Sequence, residues 1–157
     1  MIEINSQFII FLLFTFIFTA ISIYQFRIRK ICIYPVKLTK PRATLLVSAA
    51  LIFLGMAYYI GDNSWKNYLL AISGSLFIIS GILGQGISEK GIYFRPSGAT
   101  MMIIRLAKWE DIKDVKIDFN KNKMEKFKFK SNTIFPDQYY DSKYINKISK
   151  EIKKKTE

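Results

Sequence analysis

Three runs in the first half of the chain contain no charged residue: 8–26, 43–60 and 68–87. Each has about the 20 residues that a helix rising ~1.5 Å per residue needs to cross ~30 Å of hydrocarbon. None keeps a polar face, so lipid is the solvent that suits them. The pattern predicts three transmembrane helices and a transmembrane domain over 1–87. From Ser88 onward the apolar residues thin out and begin to alternate with charged ones, which predicts a small α+β cytoplasmic domain over 88–157.

Within that second part, GIYF places Ile92 and Phe94 on one face of a strand, and Pro96, Ser97 and Gly98 predict a turn. MMIIRL at 101–106 predicts the next strand, with Met102, Ile104 and Leu106 together. AKWED predicts a tight turn. KDVKIDF then directs Val115, Ile117 and Phe119 inward and Asp114, Lys116 and Asp118 outward. NKNK at 120–123 predicts a hairpin connection, and KFKFK sets Phe127 and Phe129 opposite Lys126, Lys128 and Lys130. TIF at 133–135 predicts a short last strand ended by Pro136.

The remainder predicts a helix with Asp137 as N-cap. Ile145, Ile148 and Ile152 form one stripe, opposite Lys143, Lys147, Lys150 and Lys154. A stripe that narrow favours packing on a small sheet over lying flat on anionic lipid. The charged stretch around Trp109 thus becomes a turn joining two strands of an antiparallel β-meander that the helix covers. Trp109 and Ile112 are expected as core plugs, and Asp111 as an acceptor for backbone donors in the turn.

Charge fixes a direction. Arg27, Arg29 and Lys30 directly follow the first run, the loop continues with Lys37, Lys40 and Arg42, and it holds no acid. Positive charge holds a loop in the cytoplasm. The second connection, GDNSWKN, offers only Lys66 against Asp62. The expectation is a multi-pass protein of the cell membrane with its N-terminus outside and its C-terminal domain inside. The opening MIEINSQ has no basic residue and no small-residue cleavage pattern follows, so the first run is expected to stay as a span. Tyr24, Tyr58, Tyr59, Trp65 and Tyr68 fall near span ends, where aromatic rings favour the interface. The whole chain carries 24 Lys and Arg against 12 Asp and Glu. Part of that excess matches a low-GC bacterial source, since the chain is also rich in Ile, Asn, Phe and Tyr. The six basic residues of the first loop are the candidate contacts for anionic lipid headgroups.

Chemistry is thin. The chain has one cysteine, Cys32, and no histidine, which removes intramolecular disulfides, cysteine-ligated metal sites and histidine acid–base work. Glu110 and Asp111 are adjacent and cannot face each other across a substrate. There is neither a GxxxxGK phosphate loop nor a GxGxxG fingerprint. No charged residue lies inside a span to mark an ion or proton path. Gln85, the most polar side chain of the third run, is expected to reach water at its cytoplasmic end. Ala71 with Ser75, and Ser80 with Gly84, are small pairs four apart that permit close helix packing, within this bundle or against a partner helix. KFKFK could imitate a stacking platform for bases, but one strand of a half-buried sheet has the same letters. No enzyme activity, cofactor or nucleic acid is expected.

Gly91-Ile92, then Trp109-Glu110-Asp111-Ile112, then alternating strands and a helix make the chain from about 87 to 154 resemble the small PH-like domains of bacterial membrane proteins, which often follow two or three spans. The resemblance implies a PH-like antiparallel β-meander with a C-terminal helix, open or closed into a barrel, and a binding or scaffolding role. It makes Gly91, Ile92, Trp109, Asp111 and Ile112 structural motif residues. The expected function is a non-enzymatic integral membrane protein whose cytoplasmic domain mediates protein interaction or regulates a membrane complex. The alternative is immunity against a membrane-active bacteriocin, or a similar envelope defence, since proteins resembling these occur beside leaderless bacteriocins.

Overall fold

Three long helices carry the apolar runs: α1 (Ser6–Ile31), α2 (Lys40–Tyr59) and α3 (Trp65–Leu83). The computed structural model describes residues 6–61, 64–96, 103–136 and 138–156. All three helices are long and apolar enough to cross a membrane. Leu45, Leu51, Ile52 and Phe16 stand fully outward, which only a hydrocarbon solvent makes comfortable. At 26 residues α1 is about 39 Å long, so its last two turns exceed what the hydrocarbon needs.

Between α1 and α2 lies β1 (Tyr34–Pro35). After α3 come β2 (Gly86–Ser88), β3 (Gly91–Phe94) and β4 (Arg105–Lys108). A 3-10 turn at Trp109–Asp111 leads into β5 (Ile112–Asp118), β6 (Lys123–Phe129), β7 (Asn132–Ile134) and β8 (Gln138–Tyr139). The chain ends in α4 (Ser142–Thr156).

The described residues form two compact units, one from 1–24 and 40–80, the other from 25–39 and 81–157. In the first, α1 and α3 run in the same direction. Phe11 meets Trp65 edge-on at 6.3 Å, and Phe18 stacks on Phe77 at 5.1 Å. That is the relation a first and a third span must have. Some hydroxyls here return to their own helix: Thr19 donates to the Thr15 carbonyl at 2.8 Å and Ser75 to that of Ala71 at 2.7 Å. Such bonds remove polar groups from lipid without a partner helix.

The second unit holds two antiparallel sheets. One runs β1-β2-β3-β4; the other runs β5-β6-β7, with β8 also paired to β6. β7 pairs with the C-terminal half of β6 and β8 with its N-terminal half. Between the sheets and α4 lies one core: Ile87, Ile92, Phe94 and Ala107 from the first sheet, Ile112, Met124 and Phe127 from the second, and the stripe Ile145, Ile148, Ile152 from α4. Phe94 meets Phe127 edge-on at 5.2 Å. Each such fully buried side chain stabilises the unit by about 1.5–3 kcal/mol.

Several expectations change here. The third apolar run does not stay helical to 87. Helix α3 ends at Leu83, and Gly86 and Ile87 enter β2, where Ile87 joins the core. Nor does the first loop belong only to the span region. Tyr34 pairs with Ile87 and Val36 is buried in the core, so residues 25–39 and 81–87 cluster with the sheets and the partition differs from a cut at 87. The Trp109 turn does not join neighbours of one meander; it carries the chain from the last strand of the first sheet to the first strand of the second.

Val115 and Ile117 do pack on the core, but Phe119 is 51% exposed. The strand stops at Asp118, and the turn that follows returns through Asn122, whose φ is 49°. Register breaks explain two odd spacings. An irregularity at Lys113 lets both Ile112 and Val115 face inward, and a second near Glu125 does the same for Met124 and Phe127. In the MMIIRL stretch, regular pairing begins at Arg105. Ile104 faces a second small cluster with Ile28 and Cys32, on which Tyr93 packs. Helix α4 starts at Ser142, and the carboxylate of Asp141 accepts from the Lys143 N–H at 3.3 Å. Asp137, expected as N-cap, lies outside the described residues, as do Ser97, Gly98, Met102 and Asp62.

Candidate functional site

The basic residues of the first connection do not share one environment. Arg27, Lys30, Lys37 and Lys40 are exposed, and Arg42 is half-buried at the start of α2. Arg29 is also half-buried, and its Nη1 donates to the Leu83 carbonyl at 2.8 Å. It therefore serves the open C-terminal end of α3, where carbonyls lack helical partners and a cation is favoured. The Lys37 backbone is held too: its N–H donates to the Tyr139 carbonyl at 2.7 Å, and the Val36 N–H donates to the Gln85 carbonyl at 3.2 Å. The stretch 34–37 is thus woven into the sheets, with the Lys37 side chain exposed.

The motif residues act on the backbone and the core. Gly91 has φ +149°, and a Cβ there would lie 2.0 Å from the Ala107 carbonyl oxygen. Only glycine permits that approach of β3 to β4. Ile92 beside it is fully buried. The Trp109 indole N–H donates to the carbonyls of Glu89 at 2.9 Å and Ser88 at 3.3 Å, and the Lys155 ammonium sits 5.4 Å from its ring centre. Lys155 also donates to the Glu89 carbonyl at 3.2 Å. Trp109 therefore clasps the β2–β3 turn to the last turn of α4. Asp111 works through its main chain: its carbonyl accepts from the Lys130 N–H at 2.9 Å. The expected capture of turn donors by its carboxylate is not what the geometry has.

A buried polar ladder was not legible in the sequence. Gln85, expected to reach water, is only 6% exposed, and Gln138 is wholly buried. Gln85 Nε2 donates to the Gly81 carbonyl at 3.2 Å. Gln138 Nε2 donates to Gln85 Oε1 at 3.2 Å and to the Tyr93 carbonyl at 2.7 Å. The Tyr140 hydroxyl donates to Gln138 Oε1 at 2.6 Å. Burial pushes the Tyr140 phenol well above its ordinary range, and a nearby Cys32 charge would add to this. Burial also raises the Cys32 thiol to about 11, against the opposing pull of Arg29. Neither group is ionised near neutral pH, and two amides and a phenol have no proton to exchange there. The ladder positions the end of α3 and strand β8; it is not an acid–base apparatus. Neither glutamine sits in a periodic pattern, and their sequence separation hides the pairing.

In the helical unit, a cavity of about 610 Å³ is lined by Phe18, Phe53, Met56, Leu70, Ala71 and Gly74 among others. At Gly74 an added Cβ would meet nothing within 4 Å. Asn67 also lines it, and its amide is committed to the Gly61 carbonyl. Among the described residues, no group of three His, Cys, Asp or Glu side chains could hold a metal ion. Comparison of the chain with family models, with curated proteins and with solved structures finds no match.

Proposed function

We propose that this chain is a non-enzymatic, multi-pass protein of a bacterial cell membrane, with its N-terminus outside and a PH-like cytoplasmic unit that binds a protein partner and regulates a membrane complex. One observation carries this reading. The β unit is assembled on the ends of two spans, since residues 25–39 and 81–88 supply its first strands. A partner held by the sheets is thereby held by the same unit that contains the last turns of α1 and α3. Two antiparallel sheets of short strands followed by a covering helix favour the PH-like description, and that resemblance implies a binding or scaffolding role.

The docking edge we favour is β5, a seven-residue strand that among the described residues is paired on one side only, by β6, with Lys113, Asp114 and Lys116 exposed along it. An edge of this kind accepts an added strand from a partner, with charges selecting which one. The exposed side chains of Arg27, Lys30, Lys37 and Lys40 supply attraction to anionic headgroups at the same face of the bilayer.

The test is affinity purification of the tagged full chain from crosslinked native cells, with mass spectrometry. A stoichiometric protein that is lost when Lys113 and Lys116 are changed to Glu is the expected result. Recovery of the chain alone, with every membrane complex unchanged on its deletion, sinks the adaptor reading. Protection against a membrane-active peptide then becomes the reading to test, by challenging a sensitive host that expresses the chain.

A further inference from the structure

Phe119 is a large apolar side chain exposed at the tip of the β5–β6 hairpin, where the sequence period had directed it inward. Its turn is not a loose end. The Asn122 N–H donates to the Phe119 carbonyl at 3.3 Å, and the Asn122 carbonyl accepts from the Tyr140 N–H at 2.9 Å. The neighbouring Tyr139 carbonyl accepts from the Lys37 N–H at 2.7 Å. The hairpin tip is therefore pinned, through β8, to the stretch that contains Lys37.

Lys37 is three residues from Lys40, the first residue of α2. Covalent geometry holds it within about 11 Å of that residue. From Lys37 to the tip, the route crosses β8 and β6 at roughly 5 Å per strand spacing. Between α1 and Lys37, Ile31 and Ile33 are exposed apolar residues beside the end of a span. Lysines line the tip. Lys121 is 73% exposed and faces Asp118 at 3.7 Å, and Lys123 lies 5.2 Å from the Tyr139 ring centre.

From this juxtaposition we infer that the β5–β6 hairpin tip is an interfacial anchor: Phe119 enters the headgroup region of an anionic bilayer while Lys121, Lys123 and Lys37 meet lipid phosphates. An aromatic ring flanked by lysines is the pairing that this region favours, with the ring among the acyl boundaries and the ammonium groups at the phosphates. The anchor is separate from the β5 edge offered to a protein partner, and it does not depend on that partner.

The experiment attaches a nitroxide to Phe119→Cys in the full chain, where Cys32 is buried, and reconstitutes it in bilayers of phosphatidylglycerol or of phosphatidylcholine. Collision with oxygen and with a water-soluble nickel complex measures its depth. A label at Lys113→Cys on the outer edge of β5 serves as the aqueous reference, and circular dichroism checks the fold of both variants. The expected result is several-fold greater oxygen access relative to nickel at position 119 than at 113 in phosphatidylglycerol, reduced in phosphatidylcholine and in Lys121→Gln/Lys123→Gln. Equal water exposure at 119 and 113, or immersion that ignores lipid charge, overturns the inference.

Discussion

Glycine 91 carries more of this fold than its size suggests. With φ +149° and the Ala107 carbonyl oxygen where a Cβ would go, Gly91→Ala must either break the β3–β4 pairing or strain it. A loss of about 2–4 kcal/mol is expected, read as a fall in the thermal midpoint of the solubilised chain. An unchanged midpoint would mean the strands separate at little cost. Gln138 is the second such position. Gln138→Leu keeps the volume but leaves the Tyr140 hydroxyl and Gln85 without their partner, at about 1–3 kcal/mol for the stranded polar groups. The double variant with Tyr140→Phe should recover part of that loss, and additive losses would show that the ladder is not coupled. Cys32 sets a pH dependence. Its thiol is raised from 9.0 to about 11 in the fold, so the folded state holds the proton more tightly. The stability linked to it is fully present below pH 9 and is lost as pH rises towards 11. At pH 8, alkylation of the folded chain should be markedly slower than that of the denatured chain, and equal rates would refute the burial.

Among the elements, α4 shows most directly how a periodic pattern becomes packing. The stripe Ile145, Ile148 and Ile152 faces the core, and the lysines opposite it are exposed. Ile148 is 0% exposed, so Ile148→Ala should cost about 2–4 kcal/mol. Lys147→Ala, one residue away, should fall within about 0.5 kcal/mol of the parent. Chemical denaturation of the two variants distinguishes them, and equal effects would place α4 off the sheets. The strands were harder to read. A strict period of two works for Ile92 and Phe94 in β3, but β5 and β6 each carry a register break, and the inward set there shifts by one residue. The same alternation then ran past the strand end and misplaced Phe119.

For the whole molecule, the division of labour along the chain is interleaved. The β unit takes its first strand from the connection between α1 and α2, and Val36, Gln85 and Ile87 all contribute to its interior. A fragment of residues 88–157 therefore lacks β1, all of β2 but Ser88, part of the core and one end of the polar ladder. Expressed alone, it should give a poorly dispersed amide spectrum and bind a hydrophobic dye. Fusing residues 32–39 to its N-terminus, together with residues 84–87, should restore dispersion. A well-dispersed spectrum from the bare fragment would show that β1 and β2 are dispensable.

Local chemistry alone determined the three apolar helices, the change from helical to alternating pattern near residue 88 and the isoleucine stripe of α4. Those features depend on what a residue does with solvent and with neighbours three or four positions away, and such information is written locally. Tertiary structure decided the rest: that β1 comes from the first connection, that Gln85 is buried against Gln138, that Arg29 turns to the end of α3, and that Phe119 stands outside. The first three depend on pairings between residues far apart in the chain, which no periodicity encodes, whereas Phe119 stands outside because β5 ends at Asp118. Gln85 and Gln138 are 53 positions apart, and a polar side chain reads as solvent-facing until the fold supplies the partner that satisfies it.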